Sequence, residues 1–111
     1  MAYEWGDVVW AWLPYSDGIG GERHPVVVVS VRRHNRGRDI TVARLTSQVA
    51  KARHRGEYVL QRSAEAQLTK RAAVRPKVFV ILKGRVLERI GHLHDDDKVG
   101  LAAYLREVFG L

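Results

Sequence analysis

Four consecutive valines, Val26 to Val29, follow Pro25 directly. Side chains on a strand alternate between its two faces, so a run that is apolar at every position must be covered on both. Proline has no N–H to give to a ladder, which predicts that the strand starts at Pro25 and runs on to Val31. A strand covered twice needs a sheet that curls on itself, or a second layer. The chain has 111 residues, enough for one domain with one modest core. No apolar run approaches the length that a bilayer requires.

Other segments fit the same plan. Val8-Val9-Trp10-Ala11-Trp12-Leu13 is β-branched and aromatic and stops at Pro14, so it reads as a strand. The stretch Pro14 to Gly21 carries three glycines and reads as a loop. Ile40 to Leu45 alternates as a further strand, and Glu57 to Leu60 and Lys77 to Leu82 supply two more. Arg32 to Arg38 is a basic connector with a turn near Asn35 to Gly37, and Gln48 to Gly56 reads as a flexible basic segment. Ser63 is expected to N-cap one or two helical turns through Leu68. Val86, Leu87, Ile90 and Leu93 are spaced for a short helix over 85–93. Asp95, Asp96 and Asp97 precede an apolar stripe of Val99, Ala102, Ala103, Leu105, Val108 and Phe109, the pattern of a terminal helix with acids at its positive end. Short strands closed by one helix predict a single domain over 1–111, mainly β, built as a small curled sheet or barrel.

Charge narrows the class of partner. The formal charge is +7 and the isoelectric point near 10.2. Between Arg32 and Lys77 stand 13 Lys+Arg against three acids (Asp39, Glu57 and Glu65), a net of +10. Such a field attracts polyanions, and nucleic acid is the usual one inside cells. Absence of cysteine excludes disulfides, thiol nucleophiles and thiolate metal sites. The stretch Met1 to Asp7 carries acids where a secretory signal would carry bases, so a soluble cytoplasmic protein is expected.

Few groups are placed for chemistry. His92 and His94 beside three aspartates resemble a metal site, but at a helix-to-helix junction the two rings diverge, and neither a metal nor a cofactor is expected. Trp5, Trp10 and Trp12 have the area of core or dimer-packing residues. A different set gathers at strand ends: Arg23 and His24 before Pro25, Thr46-Ser47-Gln48 after the Ile40–Leu45 strand, and Arg75 before Pro76. Histidine moves protons near neutral pH, and arginine grips phosphate oxygens with a rigid fork of donors. Those two types, with a hydroxyl, are what cleavage of RNA without a metal demands.

On these residues the sequence resembles the MazF/PemK family of endoribonuclease toxins from bacterial toxin–antitoxin pairs. Gly6-Asp7-Val8-Val9-Trp10 is similar to the family's opening strand. Pro14-Tyr15-Ser16-Asp17-Gly18 and then Pro25 to Ser30 follow its loop and proline–valine strand. Leu45-Thr46-Ser47-Gln48 is similar to its threonine segment, and Val74-Arg75 and Leu87 to Leu93 also match in order. The resemblance implies an SH3-like (PemK/CcdB-like) β-barrel with a C-terminal helix, a homodimer, and cleavage of single-stranded RNA through its 2′-hydroxyl. It implies an acidic antitoxin segment as the protein partner. Thr46 falls on the family's functional threonine and Arg75 on an arginine used by some members. Two positions depart: His24 stands where the family has arginine, and Lys77 where some members have an acid. The expected catalytic set is His24 as acid/base, Arg23 and Arg75 as phosphate stabilisers and Thr46 as a contact. Lys51, Arg53 and Arg55 would follow the RNA backbone, joined by Ser16, Ser47, Gln48 and Lys77. Competing readings are an RNA binder that has lost catalysis, and a gyrase-poisoning relative of the same fold.

Overall fold

The computed structural model describes residues 2–111; Met1, the first residue of the acidic opening stretch, lies outside them. Six strands form one antiparallel sheet: β1 (Asp7–Pro14), β2 (Gly21–Val28), β3 (Asp39–Thr46), β4 (Tyr58–Val59), β5 (Ala73–Leu82) and β6 (Val86–His92). Their spatial order is β4-β5-β3-β2-β1-β6, and the edge strands β4 and β6 are not paired with each other. Three α-helices complete the fold: α1 (Arg32–Asn35), α2 (Val49–His54) and the terminal α3 (Asp95–Phe109).

The valine run behaves as its composition demands. Val27 joins a core with Val8, Ala43, Leu45 and Val74, covered by Leu101 and Leu105 of α3. Its neighbours Val26 and Val28 point the other way, into a second core with Val9, Ala11, Leu13, Ile40, Val42 and Ile81. Strands alone supply most of that second core, so the sheet curls over it into a barrel open at the β4/β6 seam. Leu101, fully buried, contributes about 1.5–3 kcal/mol by leaving water.

One polar residue locks α3 onto this body. Asp97 is wholly buried in the first turn of the helix. Its carboxylate accepts hydrogen bonds from the Tyr58 hydroxyl (2.8 Å), Gln61 N–H (2.8 Å) and Arg62 N–H (2.9 Å). Tyr58 lies so close to Gly100 that a side chain there would run into the phenol ring. Burial, and then the bond to Asp97, push the Tyr58 phenol far above its ordinary value.

Several expectations need correction. Residues 85–93 do not form a helix: after one 3-10 turn (Lys83–Arg85) they extend as β6 along the free edge of β1. Register shifts at Val8/Val9 and Trp10/Ala11 break the alternation that would have marked the strand. The basic segment after Gln48 is ordered as α2, which buries Ala52 and exposes its charges. Ser63 is no N-cap: its Oγ instead accepts the Ala72 N–H at 3.2 Å, and only a 3-10 turn follows at Ala64–Ala66. Pro25 and Pro76 lie inside β2 and β5 rather than before them, and β2 ends at Val28. Both prolines occupy gaps in the pairing, and those gaps shape the site.

Candidate active site

Pairing between β2 and β3 covers only Val26–Val28 against Val42–Arg44. At Pro25 it stops, because proline offers β3 no N–H, and the strands part. A cleft of about 420 Å³ opens there, lined by Trp10, His24, Pro25, Arg44 to Gln48 and Leu68 to Ala72. On the other flank of β3, Ala43 pairs with Val78 but Leu45 pairs with Val74. Arg44 alone therefore faces the three-residue stretch Arg75-Pro76-Lys77, a bulge of the kind that re-aims a side chain. A second cleft, about 310 Å³, is lined by Leu13 to Ser16, Glu22, His24, Arg44, Lys77 and Phe79. His24 and Arg44 line both clefts and so stand at their junction.

His24 is largely buried, and its Nε2 lies 3.0 Å from the Glu22 carboxylate. Burial lowers its pKa below the usual imidazole value, the positive charge of Arg44 lowers it further, and Glu22 opposes both. This shift favours the neutral ring, the form able to accept a proton. Thr46 is partly exposed, and its Oγ1 accepts the Gln48 N–H at 3.1 Å, which fixes the turn leaving β3. Ser47 and Gln48 line the first cleft beside it, opposite Thr69, Lys70 and Arg71. Ser16 and Lys77 line the second.

The remaining expected residues are placed differently. Arg23 is exposed, with its guanidinium 4.4 Å from the centre of the Trp10 ring. Trp10 is therefore a wall of the cleft and not the core residue expected from its size. Arg75 lines neither cleft. It turns toward Glu57, with Nε 3.6 Å from the carboxylate, and Arg55 approaches the same carboxylate at 3.4 Å. Lys51 and Arg53 stand exposed on α2, one turn beyond Gln48. Sequence reasoning missed Arg44, Lys70 and Arg71. Arg44 reads as an ordinary outward residue of an alternating strand, and only Pro76 in another segment signals the bulge.

The histidines near α3 do separate work. His94 caps the helix, its Nδ1 accepting the Asp96 N–H at 3.0 Å. His92 Nδ1 donates to Asp7 Oδ1 at 2.8 Å. Glu4, Asp7 and His92 converge closely enough to offer three ligand atoms to an ion. The Asp7 carboxylate also accepts the Glu4 N–H at 2.9 Å and lies 3.3 Å from the Arg89 guanidinium. The Arg89 cation already offsets it, and buried Asp7 ties β1 to β6 through bonds to partly exposed partners. No helix among the described residues is long and apolar enough to cross a membrane.

Comparison with known proteins bears on the whole chain. Residues 4–109 match the family model described as the PemK-like, MazF-like toxin of type II toxin–antitoxin systems. Among solved structures, the chain resembles an endoribonuclease in complex with its cognate antitoxin from a mycobacterial species. That match has a TM-score of 0.74 at 19% identity and covers 99% of this chain and 95% of the other. Two crystal forms of MazE-MazF from Deinococcus radiodurans align with TM-scores of 0.77 at 17% identity. They cover 100% of this chain and 99% and 98% of theirs. No curated protein sequence matches the chain significantly. The fold is thus that of these toxins, barrel and terminal helix included, and the extent of the family match makes the chain a member of the PemK-like, MazF-like toxin family.

Proposed function

We propose that this protein is a metal-independent endoribonuclease that cuts single-stranded RNA, and that an acidic antitoxin segment holds it inactive. The observation that carries this reading is His24 at the junction of two clefts edged by Arg44, Lys70, Arg71 and Lys77. The reaction needs no group from outside. Neutral His24 takes the proton of a ribose 2′-hydroxyl, and the 2′-oxygen forms a bond to the adjacent phosphorus. The bond from phosphorus to the 5′-oxygen breaks, that oxygen gains a proton from a water in the open second cleft, and His24 returns its proton to the hydroxide left behind. The products are a 2′,3′-cyclic phosphate and a 5′-hydroxyl.

The other groups have roles set by position. Thr46, on the rigid turn after β3, contacts the phosphate or the attacking hydroxyl. Ser47, Gln48, Lys70 and Arg71 hold the strand along the first cleft, and Ser16 and Lys77 along the second. Lys51, Arg53, Arg55 and Arg23 extend the positive track outside them. A homodimer, with RNA crossing between protomers, fits the family. Two solved relatives are toxin–antitoxin complexes, and the +10 middle of this chain would attract an acidic segment that folds as it binds.

The test is incubation of the purified protein with single-stranded RNA in EDTA, followed by end-group analysis. Cuts that leave a 2′,3′-cyclic phosphate are expected. Salt-sensitive RNA binding without any cut would instead identify a binder that has lost the chemistry.

A further inference from the structure

One feature of the junction is not explained by a proton carrier alone. A pentacoordinate phosphorus gathers negative charge on its non-bridging oxygens, and a neutral imidazole does nothing to offset it. Arg44 stands beside His24 and lines both clefts. It pairs with Val26 of β2, but on its β5 side it faces the bulged stretch Arg75-Pro76-Lys77, which leaves room beside its side chain. Among the described residues it has no carboxylate within ion-pair reach and no aromatic ring beneath it. Arg75 is tied to Glu57, Arg55 approaches the same carboxylate, and Arg23 is stacked on Trp10. The Arg44 guanidinium is therefore uncommitted, and a planar fork of donors suits two phosphate oxygens.

We infer that Arg44 is a catalytic residue: it binds the non-bridging oxygens of the scissile phosphate and stabilises their charge as His24 removes the 2′-proton. The inference rests on the ribonuclease reading and extends it by assigning the phosphate-holding role to β3. Because the contact strengthens as charge develops, its loss falls on kcat more than on binding.

The experiment compares wild type with Arg44→Ala, Arg44→Gln and Arg44→Lys. Each is given a labelled single-stranded RNA of randomised sequence in EDTA, and the 2′-deoxy analogue of that RNA for binding. Arg44→Ala and Arg44→Gln are expected to lose about 100-fold or more in kcat, the size of effect of removing one preorganised donor. They should bind the deoxy analogue within about threefold of wild type, since one phosphate contact among many carries little of the affinity. Arg44→Lys keeps the charge without the fork and should fall between wild type and those two variants in kcat.

A second readout does not depend on turnover. The groups around His24 are Glu22 on its own strand, Arg44 from β3, Lys77 from β5 and Tyr15 from the β1–β2 hairpin. Removing the Arg44 charge should raise the imidazole's midpoint in an NMR titration. Thermal melting tells a lost role from a lost fold. If wild type cuts and a folded Arg44→Gln cuts within threefold of it, the assignment to Arg44 is wrong while the ribonuclease reading stands. An unchanged His24 titration in that variant would likewise overturn it, because the guanidinium would then lie too far away. If wild type itself leaves RNA intact, the ribonuclease reading fails and the role of Arg44 fails with it.

Discussion

Arg44 and Arg75 sit on neighbouring strands, on either side of one bulge, yet they have opposite fates. Arg75 faces Glu57, whose side chain is 6% exposed, and the ion pair is loose: neither Arg75 Nε nor Glu57 Oε1 finds a hydrogen-bond partner of good geometry. Arg44 forms no ion pair and opens onto two clefts, the second of them shared with Glu22. A buried cation paired with an acid is spent on neutralising that acid. A cation left unpaired beside a neutral histidine is available to a ligand. Residue type does not separate a structural arginine from a functional one; the occupancy of its surroundings does.

The contrast is broken or sharpened by substitution. His24→Ala should have the largest effect, lowering the rate by about 100-fold or more, in the range lost with a general base. Its melting temperature should stay within a few degrees of wild type, since the ring rests against a cleft. Equal activity would remove His24 from the site. Arg75→Ala should do the reverse. It leaves Glu57 buried with less compensation and should cost about 2 kcal/mol in chemical denaturation, while cleavage stays within about threefold. A large loss of kcat in a stable Arg75→Ala protein would return that residue to the chemistry and undo the contrast.

Smaller effects are expected at the rim. Lys70→Ala and Arg71→Ala should each weaken RNA binding about two- to fivefold, alike on every sequence. Each should also reduce the slope of log K against log salt by about one. Unchanged salt dependence would mean that the RNA avoids the first cleft. The subtlest effect concerns pH. Burial and Arg44 lower the His24 pKa, so the acidic limb of kcat/KM should fall below the ordinary imidazole value of 6.5. Protonation disables a general base, and activity is therefore lost as pH drops through that limb. Glu22 acts in the opposite direction, so Glu22→Gln should move the limb lower still, whereas Arg44→Gln should move it up. Matching shifts in both variants would contradict the electrostatic account.

Much of this was legible in the sequence, and what was hidden shares one cause. The doubly buried valine run, the alternating β3 and α3 with acids in its first turn depend on local pattern, and local pattern reported them. His24 and the Thr46-Ser47-Gln48 turn were singled out beside Pro25 and by turn chemistry, and both line the first cleft, although His24 lies within β2 and not at its end. The β6 strand was not: its helical spacing is overruled by the free edge of β1, a partner about 80 residues away. Nor was the opening beside Arg44, which depends on Pro76 interrupting the opposite strand. Arg75 looked functional because nothing nearby in sequence reveals that Glu57 will claim it. Each failure is a case in which a distant segment decides what a side chain faces.

The account turns on attack by the ribose hydroxyl next to the scissile phosphate, driven by a neutral imidazole. The most direct measurement places a single 2′-deoxynucleotide immediately 5′ of a mapped cut site in an otherwise ribo strand. Single-turnover cleavage is then followed in EDTA. The prediction is that this site alone becomes resistant while the all-ribo strand is cut and bears a cyclic phosphate. Cutting at the deoxy position at the all-ribo rate would contradict it.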